Sequence, residues 1–182
     1  MTGITQVRLS GFGGQGIVLA GLLLGQAGVT EGRYVSESNS YGAQARGSGC
    51  KSEIVFSDGL IDFPHLTTAD VLVAMSQEAY NRYCGDVREG SGFILYDQSL
   101  VTPKGELKVK QWGVPATEIS VKKLKNKQVA NIILLGVFVE TTRIVSPRSI
   151  RKAIILHVGK KFRTLNLKAF QIGRDLGKRI ND

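Results

Sequence analysis

The chain has 182 residues, of which 42% are hydrophobic and 21% charged, a composition typical of a globular protein long enough to bury one core. Its net charge of +9 is concentrated in the second half: residues 1–100 hold 6 Lys and Arg against 10 Asp and Glu, and residues 101–182 hold 18 against 5. The only two cysteines, Cys50 and Cys84, stand far apart, which argues against a disulfide framework, a zinc site or an iron–sulfur cluster in this chain. The N-terminus has no basic leader and the apolar stretches are too short to cross a bilayer, so we expect a cytoplasmic protein without membrane contact.

Apolar segments typical of buried strands alternate along the chain with helical patterns. Strands are predicted at residues 4–10, 33–38, 52–56, 69–75, 92–97 and 107–112. Helices are predicted at residues 14–29, 76–87, 128–142, 147–158 and 166–180, with a further short one opening at Pro115. Ser76 and the pair Ser146-Pro147 supply caps. Because the strands are apolar throughout, we predict one α/β domain over residues 1–182, Rossmann-like, with a mostly parallel sheet and helices on both faces.

A glycine-rich turn follows the first strand. Gly11, Gly13 and Gly16 satisfy the pattern G-x-G-x-x-G between a strand and a helix, and the backbone amides at such a helix start attract phosphate or carboxylate. Glu37 lies near the end of the second strand, where an acid that binds a ribose would stand. These features predict a dinucleotide site. Gln15, which would project from the first helical turn, and the lack of residues for hydride transfer weigh against it.

The segment SYGAQARGSG, residues 40–49, is the second landmark. Arg46 stands among glycines, which let the backbone approach a ligand, and its guanidinium can make bidentate contacts to phosphate or carboxylate. Tyr41 adds an aromatic ring and a hydroxyl. We expect this segment near the carboxyl ends of the strands, beside the glycine turn; an exposed hairpin-like connection is the alternative. The two histidines, His65 and His157, have no triad-like companion in sequence and are expected to be structural or surface residues.

Taken together, these stretches resemble a known family. GFGGQGIVLAG, SYGAQARGSGCKSEIVFSD, ADVLVAMSQEAY, GFILYD, ANIILLGVFVE and IVSPRSI follow one another in this chain as in the gamma subunits of 2-oxoacid:ferredoxin oxidoreductases. The resemblance covers nearly the whole chain and is greatest to the 2-oxoglutarate enzymes, with the pyruvate, 2-ketoisovalerate and indolepyruvate enzymes as alternatives. Ser48 replaces the second glycine of the family's RGG pattern. Asn131 matches the family's Asn before the apolar helix, where we expect an inward hydrogen-bonding anchor.

The resemblance implies a subunit that is not catalytic alone, in a complex that oxidatively decarboxylates a 2-oxoacid with coenzyme A to an acyl-CoA and CO2 and reduces ferredoxin. Thiamine diphosphate, magnesium and iron–sulfur clusters are then expected on the other subunits: alpha, beta and a ferredoxin-like delta subunit. This chain is expected to pack against them near the path of coenzyme A. The predicted cofactor-binding residues are Gly11, Gly13, Gly14, Gln15, Gly16, Tyr41, Arg46 and Gly47; no catalytic or metal-ligating residue is predicted.

Other interpretations stay open. One is an independent NAD(P)-binding protein, based on the glycine turn and Glu37; another is a regulatory protein that binds acyl-CoA or nucleotide through Arg46 and the basic second half. The charge asymmetry favours a face that meets an acidic partner, with a solvated basic face as the alternative. Nucleic acid is the weakest option, because no motif and no interleaved aromatic residues accompany the basic part. A homodimer is left open for the isolated chain.

Overall fold

A computed structural model describes residues 3–41 and 48–181. Within them, six strands form one sheet: β1 Thr5–Phe12, β2 Tyr34–Tyr41, β3 Gly49–Ser57, β4 Val71–Ala74, β5 Phe93–Asp97 and β6 Lys110–Val114. The α-helices of the same residues are α1 Ile17–Thr30, α2 Gln77–Tyr83, α3 Ala116–Leu124, α4 Ala130–Thr142, α5 Pro147–His157 and α6 Lys160–Asn181. The predicted elements occur in the predicted order, with their ends shifted by a few residues.

The strand order is β2-β3-β1-β4-β5-β6. β1, β4, β5 and β6 are parallel to their neighbours in that series, whereas β3 runs antiparallel to both β1 and β2. The predicted mostly parallel, Rossmann-like sheet is therefore confirmed, with one reversed strand. In a standard dinucleotide-binding sheet β2 lies next to β1; here β3 takes that place, because β2 and β3 pair as an antiparallel hairpin whose second strand adds to β1.

Apolar side chains pack on both faces of the sheet. In β4, Val71 and Val73 belong to a large core that also contains residues of α1, α4, α5 and α6. Leu72 and Ala74 of the same strand belong to a smaller core with Tyr80 of α2. Successive side chains of a strand point to opposite faces, so these two cores lie on opposite sides of the sheet. The prediction of helices on both faces is confirmed.

The innermost helix is α4, in which every residue from Ala130 to Val139 is buried, as its uniformly apolar sequence predicts. α6 crosses it closely, since Gly136 of α4 and Gly173 of α6 meet and a Cβ on either would collide with the backbone of the other helix. α6 begins at Lys160 rather than at residue 166, and Leu165 in this additional part packs on the core.

Capping residues fix several helix ends. Ser76 accepts the amide hydrogen of Ala79 at the start of α2, and Ser146 accepts that of Ser149 at the start of α5, so both predicted N-caps are confirmed. No helix within residues 3–41 and 48–181 has the length and the apolar content needed to span a membrane.

Candidate functional site

The glycine turn lies at the carboxyl edge of the parallel strands, where β1 ends and α1 begins. Gly11 and Phe12 complete β1. Gly14 and Gly16 then adopt left-handed backbone conformations, with φ of 95° and 74°, which glycine enters without strain. α1 therefore starts at Ile17 rather than at residue 14. After β1 the chain enters α1, on the face of the sheet that carries the large core. After β4 it enters α2, on the face that carries the smaller core. The glycine turn therefore lies at the topological switch point, where open α/β sheets bind ligands.

The side chain of Gln15 is turned into the protein. Its Oε1 accepts the Phe12 N–H (2.6 Å) and its Nε2 donates to the Met75 carbonyl (2.7 Å). A Cβ on Gly11 would collide with the Gln15 amide, so Gly11 makes room for a side chain of the same protein. Gln15 thus joins the ends of β1 and β4 rather than projecting from the helix as its place in the sequence suggests.

A second amide holds the other end of the turn. Nδ2 of the buried Asn131, in the first turn of α4, donates to the Gly16 carbonyl (2.8 Å), and its Oδ1 accepts the Ile132 N–H (2.9 Å). A Cβ on Gly16 would collide with Nδ2 of Asn131. The predicted inward hydrogen-bonding anchor is confirmed, and it connects two helices that are more than a hundred residues apart in sequence.

A cavity of about 560 Å³ opens in front of the turn, and we call it the switch crevice. Gly13, Gly14 and Gln15 line it, and Leu100, Thr117 and Lys127 are among the other lining residues. Lys127 supplies the positive charge of this lining. Two amides of the turn are already used within the chain: Gly13 N–H donates to the Ser48 carbonyl (2.9 Å) and Gln15 N–H to the Phe12 carbonyl (3.1 Å).

The N-terminus of α3, which also borders the switch crevice, is occupied by a carboxylate of the chain itself. Asp97 is fully buried at the end of β5, and its Oδ2 accepts both the Thr117 N–H (2.8 Å) and the Thr117 hydroxyl (2.6 Å). This carboxylate meets the exposed amides at the helix start, so α3 offers its first turn to Asp97 rather than to a ligand.

A second cavity, of about 590 Å³, lies between α2 and the ends of β2 and β3; we call it the hairpin cleft. Gly11 and Phe12 line it, together with the exposed Tyr41 and residues of α2 such as Arg82. The predicted residues are therefore divided: Gly11 and Tyr41 face the hairpin cleft, Gly13, Gly14 and Gln15 face the switch crevice, and Gly16 packs on Asn131. Arg46 and Gly47 lie outside the described residues. Cofactor binding by any of these eight remains a prediction.

The wall of the hairpin cleft contains a partly buried ion cluster that was not predicted from the sequence. Arg8, at the centre of β1, pairs with Glu53 (2.8 Å) and Asp86 (2.7 Å), and its guanidinium lies 4.4 Å from the ring centroid of Tyr83. Lys51 also contacts Glu53 (2.9 Å). Arg8 and Glu53 are partners across β1 and β3. The sequence pattern that could have revealed the cluster is a charged residue inside each of two predicted strands, Arg8 and Glu53. Since the charges satisfy one another, the cluster is a scaffold for the cleft.

Two weakly acidic groups near these cavities are held in their neutral forms. Burial raises the pKa of the Cys50 thiol above its ordinary value, which disfavours the thiolate that a nucleophile needs. Burial likewise raises the pKa of Tyr80, although the Lys104 N–H donates to its hydroxyl. Both groups therefore act as packing or hydrogen-bonding residues at neutral pH.

Glu37, the acid expected for a ribose, does not lie beside the glycine turn. It is paired with Ile54, which is paired with Val7, and Val7 precedes Gly11 by roughly 13 Å of strand. The Glu37 carboxylate lies instead against α1 and close to Ser52. Because β3 separates β2 from β1, the arrangement that places an acid on a ribose beside the turn is absent from the described residues.

Histidines and metal-binding groups add no further site to the described residues. His65 and His157 are exposed, as the sequence predicts. Residues 3–41 and 48–181 contain no group of three or more His, Cys, Asp or Glu side chains placed to hold a metal ion.

Comparisons with known proteins cover nearly the whole chain. Residues 6–176 match the family model described as pyruvate ferredoxin/flavodoxin oxidoreductase. The 2-oxoglutarate synthase subunit KorC of Methanocaldococcus jannaschii is 43% identical, over 96% of this chain and 95% of the relative. The ketoisovalerate oxidoreductase subunit VorA of Methanothermobacter marburgensis is 36% identical over 96% of this chain, which corresponds to 37% of that longer protein. The crystal structure of a keto/oxoacid ferredoxin oxidoreductase gamma subunit from Geobacter sulfurreducens matches with a TM-score of 0.85 and 35% identity, over 96% of this chain and 99% of that one.

Proposed function

This chain belongs to the pyruvate ferredoxin/flavodoxin oxidoreductase family, and we propose that it is the gamma subunit of a 2-oxoglutarate:ferredoxin oxidoreductase. The observation that carries the proposal is the match, over 96% of this chain and 95% of the relative, to a 2-oxoglutarate synthase subunit. The complex would convert 2-oxoglutarate and coenzyme A to succinyl-CoA and CO2 and pass the two electrons to ferredoxin. A ketoisovalerate enzyme is the second candidate, because a subunit of that enzyme contains a segment 36% identical to this chain.

The chain's own part in this reaction is binding and support. We assign thiamine diphosphate, magnesium and the iron–sulfur clusters to the alpha, beta and delta subunits, because the described residues bring together no set of carboxylates or thiolates that suits these groups. Ferredoxin would bind elsewhere in the complex. What this chain offers is a crevice at the switch point of its sheet, lined by the glycine turn and by Lys127.

The switch crevice fits an anionic group. Gly14 is exposed, and a Cβ built on it would meet open space, so a ligand can approach its backbone. Lys127 adds a cation to the lining of the same crevice. We assign a coenzyme A phosphate to this place, with Tyr41 contributing from the neighbouring hairpin cleft. Arg46 and Gly47 follow Tyr41 in the sequence and are proposed to take part on the grounds of their residue types alone. In the assembled enzyme, Arg46→Ala and Lys127→Ala should raise the KM for coenzyme A severalfold, and Lys123→Ala on the exposed side of α3 should leave it unchanged. An unchanged KM in both of the first two variants would refute this assignment.

Reconstitution tests the function as a whole. The other subunits of the complex, purified without this chain, are assayed for coenzyme A-dependent reduction of ferredoxin with 2-oxoglutarate, 2-ketoisovalerate and pyruvate, before and after the chain is added back. We expect the chain alone to be inactive, the reconstituted complex to be active, and 2-oxoglutarate to give the highest kcat/KM. Full activity of the isolated chain, or no effect of adding it, would contradict the proposal. A higher kcat/KM with 2-ketoisovalerate would select the second candidate.

The independent NAD(P)-binding alternative makes an opposite prediction. The Gln15 amide occupies the space beside Gly11, and Glu37 is remote from the turn, so we expect no saturable binding of NADH at about millimolar concentration by calorimetry. Binding in the micromolar range would favour the alternative.

A further inference from the structure

The part of the chain from residue 141 to residue 174 is purely basic: it contains nine Lys and Arg and no Asp or Glu. Two of these cations have partners, since Arg174 pairs with Glu140 (2.8 Å) and Arg163 donates to the Val158 carbonyl (2.9 Å). On α5 and α6, six others are exposed and form no ion pair within residues 3–41 and 48–181: Arg148, Arg151, Lys152, Lys160, Lys161 and Lys168.

Large apolar side chains stand exposed among these cations. Ile155, Leu156 and Phe162 are 46%, 60% and 48% exposed. Phe162 also forms part of the wall of a cavity of about 250 Å³ at the corner between α5 and α6, whose other apolar walls are Leu19, Val129, Val158 and Leu165. We call the exposed cations and these three side chains the α5–α6 patch. The patch thus combines exposed cations with two apolar side chains on the outside of α5 and with Phe162 at the apolar cavity.

The exposure of Ile155 and Leu156 is not required by the packing of α5. The helix already buries a separate face, formed by Ile150, Ala153 and Ile154, against the large core. The side of α5 that points away from the core contains Arg148, Arg151, Lys152 and Ile155, which recur at intervals of three to four residues. α5 therefore buries one apolar face in the core and exposes two further apolar side chains on its outer side.

We propose that the α5–α6 patch is the surface on which another subunit of the oxidoreductase docks, through an apolar projection rimmed by Asp and Glu. This inference rests on the proposed function, and it assigns the docking surface to α5 and α6. Protein interfaces combine a desolvated apolar centre with a charged rim of complementary sign. Six exposed cations that form no ion pair among the described residues call for carboxylates, and the cavity lined by Phe162 and Leu165 calls for an inserted side chain.

The geometry favours a protein over a membrane or a nucleic acid. A helix that lies on a bilayer inserts its main apolar face into lipid, but the main apolar face of α5 is buried in the core. On its outer side Ile155 and Leu156 alternate with cations, and Phe162 lines a cavity that suits a single inserted side chain. A nucleic acid would use the cations through its phosphates and leave Ile155 and Leu156 in water.

Binding measurements test the patch with the natural partner as probe. The remaining subunits of the complex are purified together, and the dissociation constant of the chain for them is measured at about 0.15 M salt. We expect Arg151→Glu with Lys152→Glu to weaken binding at least about tenfold, and Ile155→Ser with Leu156→Ser to weaken it several-fold. These residues are exposed, so thermal melting should show both variants folded.

Matched controls place the same chemical changes elsewhere. The variant with Lys104→Glu and Lys108→Glu reverses two exposed charges that precede the edge strand β6. The variant with Leu60→Ser and Val121→Ser removes two exposed apolar side chains. Both controls should bind within about twofold of wild type.

The outcomes separate this inference from the function on which it rests. If the wild-type chain does not bind the other subunits, the proposed function fails and the docking surface with it. If the wild type binds and the patch variants bind equally well, only the docking surface is refuted. The docking surface is also refuted if the patch variants bind the other subunits normally but lose affinity for phosphatidylserine vesicles or for duplex DNA. The same holds if they bind normally but change from a homodimer to a monomer.

Discussion

At the scale of single residues, two amide side chains fill the space that the glycines of the turn leave open. Gln15 lies against Gly11 and Asn131 against Gly16, and each amide satisfies backbone groups at the ends of strands or helices. In a dinucleotide-binding turn a pyrophosphate lies close to such glycines. The pattern G-x-G-x-x-G indicates a close approach but does not say by what, because the partner Asn131 comes from a helix 115 residues away.

Gln15→Leu tests the internal role of the amide. The variant leaves the Phe12 N–H and the Met75 carbonyl without their partner in a partly buried place, so we expect a loss of about 1–3 kcal/mol in the free energy of unfolding. Urea denaturation of the isolated chain measures it. Gln26→Leu, a control on α1 whose side chain makes no hydrogen bond within the described residues, should change stability by less than about 0.5 kcal/mol. Equal effects of the two variants would show that the bridge between β1 and β4 contributes nothing.

Glu31 gives the chain a pH-dependent contact between α1 and α5. Partial burial by itself raises the pKa of Glu31, but hydrogen bonds from Ser149 and Ser146 and the charge of Arg33 outweigh it and hold the pKa below its ordinary value of 4.5. The Ser146 N–H donates to the carboxylate over 2.7 Å. The folded state therefore binds this proton less readily than the unfolded state, and stability from Glu31 is complete above the unfolded pKa and lost as the pH falls through the folded one.

The corresponding variant is Glu31→Gln. At pH 7 it should be less stable than wild type by a few tenths to about 1 kcal/mol, a small effect because Glu31 is largely exposed. The difference should shrink as the pH is lowered below about 4.5. Glu89→Gln, at an exposed carboxylate without an ion pair in the described residues, should show no such convergence. A difference that stays constant from pH 7 to pH 3 would contradict the assignment.

At the scale of elements, the crossing of α4 and α6 depends on the absence of side chains. A Cβ on Gly173 would collide with the Ile133 carbonyl, and one on Gly136 with the Phe170 carbonyl. Backbone atoms cannot move aside as a flexible side chain can. Gly173→Ala should therefore lower the free energy of unfolding by about 1–3 kcal/mol, as overpacking does, in urea titrations. Gly159→Ala, where a Cβ would meet open space, is the matched control and should be nearly neutral. Similar urea midpoints for the two variants would mean that α4 and α6 can move apart without loss in the free energy of unfolding.

Helix identity was readable from the sequence, but strand direction was not. The apolar run at 128–142 predicted a buried helix, and Ser76 and Ser146 marked two helix starts, since these signals are local. The reversal of β3 depends on the length of the connection. The predicted strands at 33–38 and 52–56 leave thirteen residues between them, enough for a crossover. The real strands extend to Tyr41 and from Gly49, which leaves residues 42–48. A connection that short joins only antiparallel neighbours.

At the scale of the whole molecule, the candidate binding surfaces lie in different parts of the fold. The candidate ligand surfaces lie at the carboxyl edge, around the glycine turn and the ends of β2 and β3. The basic patch lies on helices that cover one face. The sequence showed the glycine turn and the basic half, because both are continuous in the chain. It did not show the ion cluster of Arg8, Glu53 and Asp86 or the separation into two cavities, because these depend on which strands become neighbours.

The charge asymmetry makes assembly sensitive to salt. The Debye length falls from about 14 Å at 0.05 M to about 4 Å at 0.5 M ionic strength, so attraction between the basic half and an acidic partner is screened across this range. We expect the dissociation constant of the chain for the other subunits to rise at least about tenfold between these conditions, mainly through slower association. Surface plasmon resonance separates the two rates. The Arg151→Glu, Lys152→Glu variant should show a shallower salt dependence than wild type, because it has fewer charges to screen. A wild-type affinity that is constant over the range would mean that the basic half is a solvated surface and that apolar contacts alone hold the subunit in the complex.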